Sequence, residues 1–202
     1  MRVIVPYTPV DPKTRLGPML NDAERGGFAR AMLQDVLDAI EAAGFAPTVL
    51  SPIDVDLGPV AVEVDERSLS SAVEAAIVPP MGVIMGDLPL LTSEIVREAL
   101  SYEEDVVVGP GRGGGTNLLV VRDASFSVDY HGASFLDHRE IARRAGLTWR
   151  ELDSFRVARD VDEPDDLAEV LIHSTGAGAR WLHDHGFELE TTSGRVTIVR
   201  TE

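Results

Sequence analysis

The sequence predicts an α/β protein: a mixed, mostly parallel sheet flanked by helices on both faces. Three observations carry this. Short apolar runs alternate along the chain with segments of helical period. One run, Gly82-Val83-Ile84-Met85, is apolar throughout, as strands buried on both faces are. The helical segments open on capping residues, and the first stops at glycine.

Val3-Ile4-Val5-Pro6 reads as a first strand stopped by proline, not as a secretory signal. Asn21-Asp22-Ala23-Glu24 has capping-box spacing, and Phe28, Met32, Val36 and Ile40 then recur on one helical face as far as Gly44. Residues 47–50 and 60–64 read as strands, and 68–77 as a short helix capped by Ser68. After the buried strand at 82–85, a helix runs from Thr92-Ser93-Glu94 to about Leu100. Strands at 105–108 and 117–121 bracket a glycine-rich loop. Helices follow at 134–145 and 163–173, the second with Pro164 in its first turn. The end reads as a β-hairpin, about 187–200, turning at Ser193-Gly194. The expected organisation is one domain over 1–202 with that hairpin as an appendage. A chain of this length buries roughly 70% of the surface its unfolded form exposes.

The net charge is −16, with 34 acidic residues against 18 basic ones, and Lys13 is the only lysine. Such a surface repels nucleic acid and anionic membranes, both of which require clustered cations. Near-complete loss of lysine with excess carboxylate fits a halophile: at about 1 M salt the Debye length falls to about 3 Å and self-repulsion is screened. The protein is therefore expected to lose structure as salt is lowered toward the millimolar range. Thermal melts at 2 M and 10 mM potassium chloride test this, and equal melting temperatures would refute it. There are no cysteines, so thiolate sites are excluded and any metal would take oxygen ligands. No apolar run approaches the roughly 20 residues of a membrane helix, and a cytoplasmic location is expected.

Ligands of open α/β sheets bind outside the carboxyl ends of the strands, which singles out four loops. The first holds Lys13 and Arg15, a point charge and a bidentate fork suited to polyphosphate. The second is Gly86-Asp87-Leu88-Pro89: Asp87 is placed to hold a hard cation such as Mg²⁺, although a lone Asp-Leu-Pro more often only satisfies a turn. In the third, Gly109, Gly111 and Gly114 satisfy G-x-G-x-x-G. A strand rather than a helix follows, which argues against a dinucleotide-binding oxidoreductase. That loop leaves Arg112, Thr116 and open backbone for a small phosphorylated or carboxylated ligand. The fourth holds Asp160 and Asp162, which face opposite ways unless the chain turns between them. Asp165 and Asp166 are explained by the helix dipole. The five histidines show no metal-binding spacing, and His138 reads as a helix-surface residue.

Taken in order, Lys13-Thr14-Arg15-Leu16, Met85-Gly86-Asp87-Leu88-Pro89, Gly113-Gly114-Gly115-Thr116-Asn117, Ser134-Phe135-Leu136-Asp137-His138 and Asp160-Val161-Asp162-Glu163-Pro164 resemble the 2-phospho-L-lactate guanylyltransferase family. The resemblance implies a nucleotidyltransferase sheet of glycosyltransferase-A-like, Rossmann-like architecture. It implies transfer of GMP from GTP to 2-phospho-L-lactate in coenzyme F-420 biosynthesis, releasing pyrophosphate. Phosphoenolpyruvate and 3-phosphoglycerate are alternative acceptors, and a cytidylyl or sugar-nucleotide transferase is the nearest other activity. It implies Mg²⁺ on Asp87, Asp160 and Asp162, and Lys13, Arg15 and Asp87 as catalytic, nucleotide-binding residues. Gly115, Thr116, Asn117, Gly132 and Ser134 would form the acceptor site. The chain departs from the superfamily in having no glycine in Thr8-Pro9-Val10-Asp11-Pro12, so phosphate binding there falls to side chains. No residue read from the sequence fixes the base, and 65–73 is only the segment suggested for it. The hairpin edge offers pairing in a homodimer.

Overall fold

The structure, a computed structural model, describes residues 1–192 and 194–201. Nine strands and six helices are placed among them. They are β1 Arg2–Pro6, α1 Asp22–Ala42, β2 Pro47–Ser51, β3 Ala61–Val64, α2 Leu69–Ala76, β4 Met81–Ile84, α3 Ser93–Ser101, β5 Val106–Pro110, β6 Thr116–Val121, α4 Ser134–Ala145, β7 Trp149–Glu151, α5 Asp166–His173, α6 Ala177–Asp184, β8 Phe187–Thr192 and β9 Arg195–Arg200. Seven strands form one sheet in the order β3-β2-β1-β4-β6-β5-β7. Only β6 runs against the rest, pairing antiparallel with β4 and β5. The carboxyl ends of the other six strands and the amino end of β6 therefore share one edge.

Alternation of side chains across the pleat divides the core. Val3, Val5, Val107, Leu118 and Val120 point to the face covered by Leu33, Val36, Leu37 and Ile40 of α1 and by Val96 and Leu100 of α3. Ile4, Met81, Val83, Val106, Leu119 and Val121 point to the other, against Val73 of α2 and Ala142 of α4. Burying each such side chain stabilises the fold by roughly 1.5–3 kcal/mol. A third cluster joins α1 to the end of the chain through Phe28, Met32, Leu167, Leu182 and Phe187.

The Asn21–Glu24 capping box forms in both directions. Asp35, buried on α1, accepts hydrogen bonds from the Ala177 and Gly178 N–H groups and so caps α6. A Cβ at Gly176 would stand 2.1 Å from Asp35 Oδ1, so this join requires glycine.

Three details differ from expectation. The edge strand β7 has no forecast in the sequence: it is three residues long, with Arg150 and Glu151 exposed. Ser68 precedes α2, but its hydroxyl bonds Ser71 Oγ rather than a helix N–H. Helix α5 starts at Asp166, beyond Pro164, because Asp166 Oδ2 accepts from the Asp162 and Glu163 N–H groups and holds the preceding chain in a turn. The hairpin β8–β9 forms as expected; Ser193 of its turn lies outside the described residues. No helix among the described residues is long and apolar enough to cross a membrane.

Candidate active site

All four loops meet at the common edge. After β1 the chain passes through Asp11 and Lys13, both left-handed, with φ of 43° and 54°. Non-glycine residues adopt this conformation only when their surroundings impose it. Here Leu16 is wholly buried beneath the loop. The buried Arg25 guanidinium holds the loop from the side, donating to Pro12 O at 3.0 Å and pairing with Asp11 and Asp22. That arginine is a support that sequence reading missed, since on α1 it reads as an ordinary charged position.

Lys13 is thereby aimed inward. Its Nζ lies 2.6 Å from Asp87 Oδ2 and 2.8 Å from Asp162 Oδ1. Burial works against its charge, but the two carboxylates outweigh this and hold its pKa above the ordinary lysine value. Arg15 reaches Asp162 Oδ2 at 3.5 Å, its side chain 68% exposed and mostly free. The Asp87 Oδ1 atom is buried and has no hydrogen-bond partner.

The fourth loop also turns as required. Asp162 faces Lys13, while Asp160 Oδ1 accepts from Asn117 Nδ2 at 3.1 Å. Burial, with Asp87 and Asp162 nearby, raises the Asp160 pKa even though the Asn117 bond opposes this. The Asn117 amide also donates to Val157 O at 2.8 Å, so it positions Asp160 from a buried site. Asp166, expected to act only on the helix dipole, is buried. It braces the Asp162–Glu163 backbone and receives Arg112 Nη2 at 3.3 Å. Arg112 is accordingly tied to the site's frame. As placed, Asp87 and Asp162 clasp the ammonium, and Asp160 is held by Asn117. Among the described residues no three His, Asp or Glu side chains form a ready metal cluster.

The glycine loop is the β5–β6 connection. A Cβ at Gly111 would stand 2.8 Å from the Asn117 side chain, and Gly114 has φ 86°. Gly114 O accepts the Phe135 N–H, joining the loop to the first turn of α4. Thr116 and Ser134 are both buried, with Ser134 Oγ donating to Thr116 Oγ1 at 3.2 Å. His138 is not a surface residue: it is fully buried, with Nδ1 at 2.9 Å from Thr116 Oγ1 and Nε2 accepting the Asp129 N–H at 3.0 Å. Phe126 and Tyr130 close over its ring, from a segment whose return onto α4 the sequence did not announce. Gly132, with φ 53°, lies in the bend before α4, and Gly115 O accepts the Gly111 N–H.

A cavity of about 570 Å³ extends from Lys13, Arg15, Asp87 and Asp162 past Tyr7, Thr8 and Met85 to Leu50, Ser51, Pro52, Asp65 and Arg67. Gly115, Thr116, Asn117, Gly132 and Ser134 do not line it. Thr116, Asn117 and Ser134 are buried, and Asn117 joins them to the carboxylates through Asp160.

Residues 1–201 match the family described as "Guanylyl transferase CofC like". The chain is 50% identical to the 2-phospho-L-lactate guanylyltransferase of Natronomonas pharaonis, over 99% of each chain. It is likewise 50% identical to the protein of that name from Haloferax volcanii, over 99% of this chain and 98% of the other. In fold it resembles a crystal structure described as a nucleotide-diphospho-sugar transferase from Desulfovibrio desulfuricans. The TM-score is 0.76 and the identity 21%, over 92% of this chain and 96% of that one. A nucleotidyl transferase from Methanothermobacter thermautotrophicus matches with TM-score 0.58 at 11% identity, over 91% and 98% of the two chains. The mixed sheet is thus that of the nucleotidyltransferases, and by the match over nearly its whole length the chain belongs to the guanylyl transferase CofC-like family.

Proposed function

We propose that the protein joins GMP from GTP to 2-phospho-L-lactate, releasing pyrophosphate. The observation that carries this is the Lys13 ammonium clasped by Asp87 and Asp162 at the carboxyl edge of the sheet; family membership narrows the nucleotide and acceptor. An acceptor phosphate oxygen attacks the α-phosphorus, a new P–O bond forms, and the bond to the β-phosphate breaks with its electron pair leaving on pyrophosphate. The acceptor is already an anion, so no base is required. The barrier is repulsion between anions, which fixed cations and in-line positioning lower.

Mg²⁺ suits this donor set. It takes one or two carboxylates and completes its shell with water and phosphate oxygens, and the unpartnered, buried Asp87 Oδ1 is an oxygen of that kind. Asp87 and Asp162 would hold it, with Asp160 close by; bound, it would neutralise charge on the triphosphate. Lys13 would then exchange its carboxylates for phosphate oxygens, and the exposed Arg15 would close on the leaving pyrophosphate. Thr116, Ser134 and the backbone near Gly115 and Gly132 would hold the acceptor. A cytoplasmic location belongs to the same reading. So does a homodimer through the hairpin, where Leu189 and Val196 are exposed.

The test is pyrophosphate release in molar potassium chloride with Mg²⁺, four nucleoside triphosphates being screened against 2-phospholactate, phosphoenolpyruvate and 3-phosphoglycerate. GTP with 2-phospholactate is expected to give the highest rate. Release from CTP with none from GTP would overturn the proposal.

A further inference from the structure

The cavity continues well beyond the phosphate-binding end, and its far end has a chemistry of its own. There the strands β2 and β3 finish side by side, and the N–H of Asp65, just past β3, bonds the carbonyl oxygen of Ser51, the last residue of β2, at 2.9 Å. Leu50, Pro52, Leu69 and Ala72 supply apolar walls. The charged side chains at this end are Asp65 and Arg67. The Asp65 carboxylate is fixed: Oδ1 accepts the Arg67 N–H at 3.0 Å and Nε at 2.9 Å, and Oδ2 pairs with Nη2. These bonds hold its pKa down at about 2, so it is an anion at any working pH. Its side chain is 17% exposed, whereas that of Arg67 is 55% exposed and has room to move.

A nucleotide whose phosphates lie at Lys13 extends its base toward this end. An ionised carboxylate accepts hydrogen bonds and donates none. Guanine presents two adjacent donors, N1–H and the N2 amino group. Adenine and cytosine each place an acceptor ring nitrogen beside their amino group, and uracil flanks its one N–H with carbonyls. The remaining edge of guanine, O6 and N7, is the pair of acceptors that a guanidinium fork matches. We infer that Asp65 selects guanine by accepting from N1–H and the N2 amino group, while Arg67 turns from Asp65 onto O6 and N7. This rests on the guanylyl-transfer reading and names the residues that set its base specificity. In the free protein, Arg67 fills the carboxylate's lone pairs in the place of the base.

The test compares GTP, inosine triphosphate and xanthosine triphosphate as substrates of the wild-type protein and of Asp65→Asn. Inosine lacks the N2 amino group, and its kcat/KM in the wild type is expected to fall at least about tenfold below that of GTP. Asp65→Asn is expected to lose GTP by on the order of a hundredfold, mainly in KM. The same variant should gain xanthosine triphosphate, whose C2 carbonyl accepts from the new amide. Equal use of GTP and inosine triphosphate by the wild type would overturn the assignment without any variant. So would an Asp65→Asn protein that keeps the wild-type ranking of bases, and in both cases guanylyl transfer itself would stand. Wild-type protein that releases pyrophosphate from CTP but not from GTP would remove both.

Discussion

Asp87→Asn is expected to lower the rate of pyrophosphate release by on the order of a thousandfold, the scale seen when one fixed electrostatic partner is lost from a reacting centre, while the protein still melts cooperatively. The asparagine keeps the shape of the side chain but not its charge. Asp87 contributes one of its oxygens to Lys13 and has the other buried without a partner. Around that point the fixed charges are Asp87, Asp160 and Asp162 against one buried ammonium, with Arg15 reaching only Asp162. The excess is negative, which favours a divalent cation carrying an anionic nucleotide. Asp87→Asn reduces that excess by one charge, and Lys13 retains Asp162, so folding need not fail. Lys13→Ala is expected to slow turnover less, because Arg15 still faces the phosphates. Titrating Mn²⁺ into both variants and following water proton relaxation separates the effects. Asp87→Asn should weaken metal binding, and Lys13→Ala should tighten it by uncovering the carboxylates. Wild-type activity in Asp87→Asn would remove the metal assignment.

The elements nearest this site were the most legible in the sequence. β1, β4 and β6 are runs of Val, Ile and Leu, and α1 carries both an apolar stripe and a reciprocal cap. Local chemistry decides each of these, so the sequence alone exposes them. The position of the loops at a sheet edge is legible in the sequence, whereas the set Asp87, Asp160 and Asp162 comes from the family resemblance; in the structure Lys13 lies against Asp87 and Asp162. The pieces that escaped reading depend on partners distant in sequence. Strand β7 exists because Trp149–Glu151 pairs with β5, not because three residues declare a strand. Arg25 and Asp166 look like ordinary helix charges until Pro12 and the Asp162 backbone arrive. His138 sits between Asp137 and Arg139, with no apolar neighbour in sequence, and it is buried only because residues 126–130 fold over it.

Acidification should expose that last residue directly. His138 Nε2 accepts the Asp129 N–H, so the proton is on Nδ1 and is donated to Thr116 Oγ1. A second proton would set two donors against each other inside an apolar enclosure. Burial accordingly lowers its pKa from 6.5 to about 4, with the Asp129 and Asp137 charges opposing only in part. The sign follows from linkage. Above pH 6.5 the imidazole is neutral in both folded and unfolded chains and costs nothing. Below it the unfolded chain takes up a proton that the folded one refuses, so stability falls until about pH 4. At 1.36 kcal/mol per unit the loss between pH 6.5 and 5 is about 2 kcal/mol, against a total of roughly 5–15 kcal/mol. Asp35 and Asp160, whose pKa values burial raises, slope the other way near the acid end. Asp65 and Glu140, both lowered to about 2, begin to lose stability only below their unfolded values near 4. The His138 step should therefore stand apart. Urea midpoints measured from pH 8 to 5 at constant high salt are expected to drop in the wild type and stay level in His138→Gln, which starts lower. Parallel curves would mean that this imidazole is not the group responsible. On the acceptor role proposed for Thr116 and Ser134, which share the network, the KM for the acceptor should also rise before the protein unfolds.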